Sequence, residues 1–346
     1  MARYNGRILF IDGFAGPGRY SGGEEGSPLI ALRALLEHPH FQNPTPNQEV
    51  AFLFIEERED RASALELELS RFSETRPIPK WVKYDVLQGQ FASLMIDVLE
   101  RLDREGKRLA PTFAFIDPFG FSGVPLNVIA RIVQNPRCEC LITFMYESIN
   151  RFLAHPSEAI RAHFDELFGT DGWRDILEGR DAGNRRDEIV SLYRTQLIDQ
   201  AKLKYVRIFE MINEGNRTEY FLYFGSNSLS GYSKMKEAMW RVDPISGQVF
   251  SDRTDAREMV LFEFTPNLSS LQKLLSARFR GAGWVDIDQV RDFVLMDTPF
   301  SEAIHLKHRT LKPMERADPP LIVVERPKGA RNRPGDYPSK TKIRFL

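Results

Sequence analysis

The first candidate for chemistry is a glycine-rich loop behind the apolar run Arg7–Ile11. Asp12 follows this run, and glycines stand at positions 13, 16 and 18 of the segment FIDGFAGPGRY. Glycine has no Cβ, so backbone N–H groups there can approach a bound ligand closely. The spacing differs from the G-x-G-x-x-G of dinucleotide sites, whereas an acid followed by x-x-x-G-x-G suits S-adenosylmethionine. A tight turn at a strand end is the structural alternative. The expected cofactor contacts in this loop are Asp12, Gly13, Phe14, Ala15, Gly16 and Gly18.

Acidic residues also follow the next two predicted strands. Glu56 comes after the run Val50–Ile55, and Asp85 comes after Trp81–Tyr84. Ligands of open α/β sheets bind at the carboxyl ends of the strands, so both acids are expected near Asp12. Glu56 would accept hydrogen bonds from ribose hydroxyls, and Asp85 would accept from an adenine amino group. A solvated surface acid is the alternative for each of them.

A fourth predicted strand, Thr112–Ile116, ends at the sequence Asp-Pro-Phe-Gly. The exocyclic amine of a base is a poor nucleophile, because its lone pair is delocalised into the ring. A carboxylate and a carbonyl that accept its hydrogens would favour attack on an electrophilic methyl, and an aromatic ring would stack the extruded base. The candidate catalytic residues are therefore Asp117, Pro118 and Phe119. The alternative is that Pro-Phe-Gly only terminates the strand.

Several other chemistries are excluded by the residues available. Cys138 and Cys140 lie two apart in one predicted strand, so they face opposite sides and cannot easily form a disulfide. No Pro-Cys follows a strand, which disfavours a cysteine-nucleophile cytosine methyltransferase. The six histidines have no metal-ligand spacing with the cysteines, so no metal is expected, and no Walker-type lysine loop is present.

The elements that must position these residues form an α/β pattern. Apolar segments alternate with helical patterns, which predicts a parallel sheet covered by helices on both faces. Ser27 is the expected cap of the first helix, residues 151–200 are mostly helical, and the apolar runs Val206–Ile212 and Tyr220–Phe224 predict a hairpin. Further predicted elements are the helices Asp60–Phe72 and Phe91–Leu102 and a fifth strand Cys140–Tyr146.

The C-terminal part has a different pattern. A short strand Met259–Phe264 is followed by helices near 267–280, 286–296 and 301–316. The last two strands, Leu321–Glu325 and Thr341–Phe345, flank a loop rich in Pro, Gly and Arg. Three short helices before a hairpin with a basic tip are typical of a winged helix. The predicted domains are therefore residues 1–245 and 246–346.

Charge is distributed unevenly along the 346 residues, although the net charge is −1. Residues 305–346 contain eleven Lys/Arg against four Asp/Glu, so this end is a candidate surface for a polyanion, with a merely solvated loop as the alternative. No apolar run is long enough to span a membrane and no secretory signal is evident, so a cytoplasmic location is expected. The expected phosphate contacts are Arg326, Lys328, Arg331, Arg333, Lys340, Lys342 and Arg344.

Four ordered motifs carry a resemblance to a known family. They are FIDGFAGPGRY at 10–20, GSPLIAL at 26–32, IDPFGF at 116–121 and MKEAMWRVDP at 235–244. Together they resemble the three-Cys-motif partner proteins, the TcmP family, over nearly the whole chain. That family is named for a neighbouring radical-S-adenosylmethionine-like protein with a three-cysteine motif, so the resemblance implies such a protein as a partner.

The N-terminal motifs are also similar to the RlmJ family, which methylates an adenine amino group in ribosomal RNA. This similarity implies a class I methyltransferase (Rossmann-like) sheet with a terminal antiparallel hairpin. It implies cofactor binding by Asp12, Gly16, Gly18, Glu56 and Asp85, with Asp117 at the target base. That family has Asp-Pro-Pro-Tyr where this chain has Asp-Pro-Phe-Gly. The Asp-Pro-Phe-Gly motif is similar to that of tRNA guanine-N2 dimethyltransferases, so the identity of the target base is left open.

Two functional hypotheses follow. In the first, the chain transfers a methyl group from S-adenosylmethionine to an exocyclic amine of a base in RNA or DNA. In the second, it is a non-catalytic adaptor with a methyltransferase-like body that binds the radical-S-adenosylmethionine-like partner, nucleic acid or both. The altered motif at 117–120 is the feature that favours the second hypothesis.

Overall fold

The computed structural model describes residues 6–41, 48–178, 184–251 and 267–346. The chain forms two compact units. The first unit comprises residues 1–208 and 218–229, and the second unit comprises residues 209–217 and 230–346. Within the described ranges, no helix combines the length and the apolar character that crossing a membrane requires.

A large, mostly parallel sheet forms the centre of the first unit. The strand order is β3-β2-β1-β4-β5-β7-β6; strands β1 to β5 are parallel along this order, and β7 pairs antiparallel with β5. The predicted parallel sheet and its terminal hairpin are thus confirmed. The strands are β1 Arg7–Asp12, β2 Glu49–Glu56, β3 Val82–Gln88, β4 Thr112–Ile116, β5 Glu139–Phe144, β6 Tyr205–Ile212 and β7 Thr218–Ser226.

Helices cover both faces of this sheet. Phe54 and Ile55 are adjacent in β2 and so point to opposite faces, yet both are fully buried. Phe54 packs in an apolar cluster with Leu29 of α1 and Leu65 of α2, and Ile55 packs in the cluster on the other face. The helices are α1 Ser27–Glu37, α2 Glu59–Thr75, α3 Phe91–Arg104, α4 Leu126–Val133, α5 Tyr146–Phe152, α6 Glu158–Phe168, α7 Trp173–Glu178 and α8 Arg185–Asp199, with a short 3-10 helix Pro39–Phe41.

Strand β3 is longer than the sequence predicts. It was expected to end at Tyr84, before Asp85, because aspartate is depleted in strands. Instead it continues to Gln88, and Asp85 pairs with Leu53 in the middle of the strand. An acid is tolerated there because β3 is the edge strand of the sheet and the Asp85 side chain is exposed. The prediction that Asp85 follows a strand end is therefore wrong.

The second unit contains helices and a small antiparallel sheet of order β10-β11-β9. The three expected helical segments and the terminal hairpin are present, and β8 pairs in parallel with residues 210–212. The predicted strand Met259–Phe264 lies outside the described residues. The elements are α9 Leu229–Val242, β8 Val249–Ser251, α10 Leu268–Phe279, β9 Val285–Asp286, α11 Ile287–Asp297, a π-helical segment Glu302–Leu311 that continues as α12 Lys312–Arg316, β10 Ile322–Glu325 and β11 Lys342–Phe345.

Helix α9 packs within the second unit, whereas the predicted boundary at residue 245 put it in the first. The Lys236 ammonium is fully buried and donates to the carbonyl oxygens of Val294 (2.9 Å), Leu295 (2.8 Å) and Thr298 (2.7 Å), at the end of α11. Trp240 belongs to the same apolar core. Residue 230 is therefore where the second unit begins after the hairpin.

Candidate functional site

Asp12, the last residue of β1, is completely buried beneath the glycine-rich loop. Its carboxylate accepts hydrogen bonds from the Phe14 N–H (3.2 Å) and the Ser27 hydroxyl (2.6 Å). Ser27 was expected to cap α1, but Gly26 holds the cap position and Ser27 faces Asp12 instead. Burial raises the pKa of Asp12 to about 6; the two hydrogen bonds lower it, and the charges of Asp117 and Glu56 raise it further.

The loop after β1 depends on two left-handed glycines. Gly16 has φ 64° and Gly18 has φ 80°, a region that side chains disfavour. The Gly16 N–H donates to Glu56 Oε2 at 2.9 Å, which ties the loop to the end of β2. A Cβ at Gly18 would lie 2.9 Å from Leu65 Cδ1, whereas a Cβ at Gly16 would meet no atom within 4 Å. Gly16 therefore borders open space that a ligand can occupy.

Glu56, the last residue of β2, is 5% exposed and faces this loop. Its Oε1 accepts the Arg58 N–H at 2.9 Å, and its Oε2 accepts the Gly16 N–H. Each carboxylate oxygen can accept more than one hydrogen bond. Glu56 can therefore also accept hydroxyl donors from a ligand in the space beside Gly16.

Asp117 directly follows β4 and is open to solvent. The neighbouring protein nevertheless removes enough water to raise the pKa of its carboxyl, while a hydrogen bond from the Thr143 side chain lowers it. Thr143 itself is buried in β5. The site therefore has an accessible carboxylate that is held by a rigid neighbour and accepts a proton more readily than an ordinary aspartate.

Phe119 stands beside this acid with 72% of its surface exposed. The guanidinium carbon of Arg61, on α2, lies 5.3 Å from its ring centroid, within the range of a cation–π contact. Pro118, between Asp117 and Phe119, is buried and anchors the segment. An exposed aromatic ring next to an acid can stack a planar group whose polar edge meets the carboxylate.

Three of the four predicted acids come together. Glu56 and Asp117 lie at the carboxyl ends of β2 and β4, the two strands that flank β1, and the charges of both raise the pKa of Asp12. Asp85 does not join them. At the end of β3 the register places Gln88 beside Glu56, and Gln88 Nε2 donates to the Glu57 carbonyl at 2.8 Å. The group at this edge of β3 is therefore an amide rather than a carboxylate.

Thr143 and Arg61 were missed by the sequence reasoning. Thr143 lies near the end of the fifth predicted strand, so its position at the carboxyl edge was available as a signal. Arg61 had no signal, because its contact with Phe119 joins α2 to a loop 58 residues further along the chain.

Neutralising Asp12 should stabilise the protein in a pH-dependent way. With its pKa raised from 3.8 to about 6, ionised Asp12 costs folding free energy. This cost is absent below about pH 4, grows up to about pH 6 and reaches about 3 kcal/mol above pH 7. We expect Asp12→Asn to raise the free energy of unfolding at pH 8 by up to this amount and by less at pH 5, as measured by urea denaturation.

Asp97→Asn is the matched control, because Asp97 is exposed on α3. It should change the free energy of unfolding little at either pH. An equal effect of Asp12→Asn at pH 5 and pH 8 would contradict the raised pKa.

The seven basic residues expected to contact phosphate occupy three different settings. The Arg326 side chain is 5% exposed and donates to both carboxylate oxygens of Glu315, at 2.7 and 2.9 Å. It is therefore a structural residue, and its assignment to phosphate binding is withdrawn. Lys342 and Arg344 lie on β11, where the Arg344 guanidinium carbon is 5.3 Å from the ring of the half-exposed Trp284. The remaining four are exposed between β10 and β11: Lys328, Arg331, Arg333 and Lys340.

No protein-family model and no curated protein matches this chain, so membership of the TcmP family stays a prediction. Three solved structures are similar over 64% of the chain. A candidate caffeoyl-CoA O-methyltransferase from Staphylococcus aureus has 14% identity over 76% of its length (TM-score 0.27). A candidate O-methyltransferase from Klebsiella pneumoniae has 12% over 73% (0.32), and a SAM-dependent methyltransferase from Methanosarcina mazei has 12% over 92% (0.26). The assignment of function therefore rests on the geometry of the site.

Proposed function

We propose that this protein is an S-adenosylmethionine-dependent methyltransferase that acts on an exocyclic amine of a base in RNA or DNA. One observation carries the proposal: Asp12, Glu56 and Asp117 lie at the carboxyl ends of three adjacent parallel strands, β1, β2 and β4. Asp12 ends β1 and Asp117 directly follows the adjacent β4, where the strand order reverses. Open α/β sheets bind their ligands at this switch point.

The residues fit S-adenosylmethionine, which supplies an electrophilic methyl group on a sulfonium. The open space beside Gly16 can receive the methionyl part, and Glu56 keeps lone pairs for ribose hydroxyls. The carboxylates of Asp12 and Glu56 also favour a cationic ligand. Asp12 is enclosed, so it acts by holding the loop and by its charge rather than by contact. The antiparallel β7 beside β5 is the arrangement of class I methyltransferases.

The chain's own residues then act on the base. Phe119 stacks it, and the Asp117 carboxylate accepts a hydrogen of the amine, so that the nitrogen lone pair points away from the ring plane. Bound S-adenosylmethionine would supply the methyl group and keep the electron pair of the broken carbon–sulfur bond on sulfur, and Asp117 would accept the proton that the methylated nitrogen loses. The raised pKa of Asp117 favours this last transfer.

Transfer of label from methyl-labelled S-adenosylmethionine tests the proposal. The full chain is incubated with total RNA and, separately, with genomic DNA, and the nucleic acid is digested to nucleosides. We expect labelled N-methyl nucleosides from one of the two. Label in neither, from protein that binds the cofactor, would contradict the proposed activity.

Glu56→Gln should remove most of the cofactor affinity. The amide can accept through only one atom, and its NH₂ group would oppose the Gly16 or Arg58 N–H. We expect saturating S-adenosylmethionine to raise the Tm of the wild-type protein but hardly that of the variant, because ligand stabilisation follows RT ln(1 + [L]/Kd). Differential scanning fluorimetry measures this difference.

Asp85→Asn provides the matched control, since it makes the same carboxylate-to-amide change on the neighbouring strand but away from the site. Its ligand-induced Tm shift should equal that of the wild type. A full shift in Glu56→Gln would remove Glu56 from the cofactor site.

The second candidate function is the non-catalytic adaptor. Asp-Pro-Phe-Gly at 117–120 favours it, because the second proline of the RlmJ-type motif is missing. An adaptor would bind a three-Cys-motif radical-S-adenosylmethionine-like protein and transfer no label to nucleic acid. Co-purification of the two proteins, together with a negative transfer assay, would support this alternative.

The second unit is proposed to be a winged-helix domain that binds nucleic acid. Its order α10-β9-α11, helix 302–316, β10 and β11, with one sheet of three strands, supports this interpretation. Contacts to phosphates by its lysines and arginines could offset the few kcal/mol needed to unstack a base.

A further inference from the structure

We propose that helix 302–316 and the loop between β10 and β11 together bind double-stranded DNA. This inference rests on the proposed function in taking nucleic acid as the partner, and it names the form of nucleic acid and the residues that meet it. We call the surface the helix–loop face. Its members are His308, Arg309, Lys312 and Arg316 on the helix and Lys328, Arg331 and Arg333 on the loop.

The helix presents basic residues on the side away from its core contacts. Thr310, Leu311 and Met314 are buried against the rest of the second unit. His308, Arg309 and Arg316 are exposed, and Lys312 is half-buried. One side of the helix therefore packs, and the opposite side carries cations.

The loop is fastened against the same helix. The Glu315 carboxylate accepts hydrogen bonds from the Arg326 guanidinium and from the Tyr337 hydroxyl, the latter at 2.7 Å. Arg326 also donates to the Arg333 carbonyl at 2.9 Å. Lys307 Nζ donates to the Tyr337 carbonyl at 2.7 Å. These bonds join both ends of the loop to the helix before any ligand binds.

Gly335 brings the loop backbone directly beside the basic side of the helix. A Cβ built there would lie 3.0 Å from Lys312 Cδ and 3.3 Å from His308 Nδ1. The cations of the helix and of the loop therefore belong to one continuous surface.

The cations of this face form no ion pairs. Among the parts of the chain that the structure describes, no carboxylate lies within ion-pair distance of the basic side chains on this face, namely Arg309, Lys312, Arg316, Lys328, Arg331 and Arg333. Elsewhere in the same unit, Arg291 pairs with Asp288 at 3.1 Å and Arg241 pairs with Glu237 at 2.6 Å. A surface that leaves its cations without partners is suited to a row of phosphates.

The shape favours B-form DNA over RNA or a single strand. An exposed helix fits the major groove of B-DNA, about 12 Å wide, but not the deep, narrow major groove of A-form RNA. Single strands are held by exposed aromatic rings on which bases stack. Residues 302–336 contain no Phe, Tyr or Trp, and the next aromatic residue, Tyr337, is buried. The half-exposed Trp284 pairs with Arg344 of β11 instead.

Fluorescence anisotropy of the full chain, without S-adenosylmethionine, tests the proposal. The labelled probes are duplex DNA of about two helical turns, one of its strands, and an RNA duplex of the same sequence. We expect the DNA duplex to bind most tightly, with log affinity falling against log salt with a slope of about −4 to −5. Tighter binding of the single strand or the RNA duplex would overturn the proposal.

Paired variants locate the contact. Arg309→Ala with Lys312→Ala, and Arg331→Ala with Arg333→Ala, should each flatten the salt slope by about 2 and weaken binding at least about tenfold. The matched control is Lys83→Ala with Arg101→Ala, which removes the same charge from exposed positions of the first unit and should leave the slope unchanged. An equal loss in the control, or no loss in the helix and loop pairs, would overturn the assignment.

The binding assay also separates this inference from the proposed methyl transfer. It contains no methyl donor, so duplex binding can be present even if the chain transfers no label. Methylation of RNA by a chain that does not bind duplex DNA would overturn this inference alone.

Discussion

Asp117→Ala is expected to lower the rate of methyl transfer by roughly 10²–10⁴-fold, the usual contribution of a positioned acid or base. Cofactor affinity should change by less than about twofold, since Asp117 is assigned to the base. The reason is geometric: the carboxylate lies open to solvent after β4, is held by Thr143, and stands next to the exposed Phe119. Single-turnover label transfer and calorimetry of S-adenosylmethionine measure the two quantities.

Two further variants sharpen this test. Asp97→Asn, an exposed acid on α3, should transfer label at the wild-type rate. Thr143→Val should slow transfer less than Asp117→Ala, because it removes only the hydrogen bond that orients the carboxylate. Undiminished transfer by Asp117→Ala would mean that another group holds the amine.

Arg326→Met should destabilise the second unit by about 3–5 kcal/mol, the cost of leaving a buried charge without its partner. The side chains of Arg326 and Glu315 are only 5% and 14% exposed. After the change, Glu315 keeps the hydrogen bond from the Tyr337 hydroxyl but loses the guanidinium that neutralises its charge. Arg326 also bonds the carbonyls of Asp336 and Arg333, so the loop should loosen. Native-state hydrogen exchange of the β10 and β11 amides measures the loss.

The double variant Arg326→Met with Glu315→Gln is the control. Removing both charges of a buried pair is often close to neutral, so the double variant should recover much of the lost stability. A loss below about 1 kcal/mol in Arg326→Met would show that the pair behaves like a solvated surface ion pair.

The strand ends that carry the site were predictable where an apolar run stops at an acid. Asp12, Glu56 and Asp117 follow such runs, and β1, β2 and β4 lie side by side in the sheet. The same rule failed for Asp85, because it assumes that a polar residue ends a strand. An edge strand can present an acid to solvent and continue, and the edge position of β3 is a property of the assembled sheet.

The basic C-terminal residues show a second limit. From the sequence alone, Arg326 and Arg331 are equally good candidates for phosphate contacts, since both lie in one Pro/Gly/Arg-rich stretch. Only the fold shows that Arg326 is buried in an ion pair with Glu315, on the helix before β10, whereas Arg331 is exposed. Likewise, the amphipathic pattern of α9 is compatible with packing in either domain. The hydrogen bonds of Lys236 to carbonyl oxygens at the end of α11 show that α9 belongs to the second unit.

The central claim is that the sheet edge with Asp12, Glu56 and Asp117 binds S-adenosylmethionine. Calorimetric titration of the wild-type chain with S-adenosylmethionine tests this claim most directly, because the proposed methyl transfer requires the bound cofactor. We predict one site per chain with a Kd near the micromolar range, about −8 kcal/mol of binding free energy. Absence of binding at millimolar ligand would contradict the account.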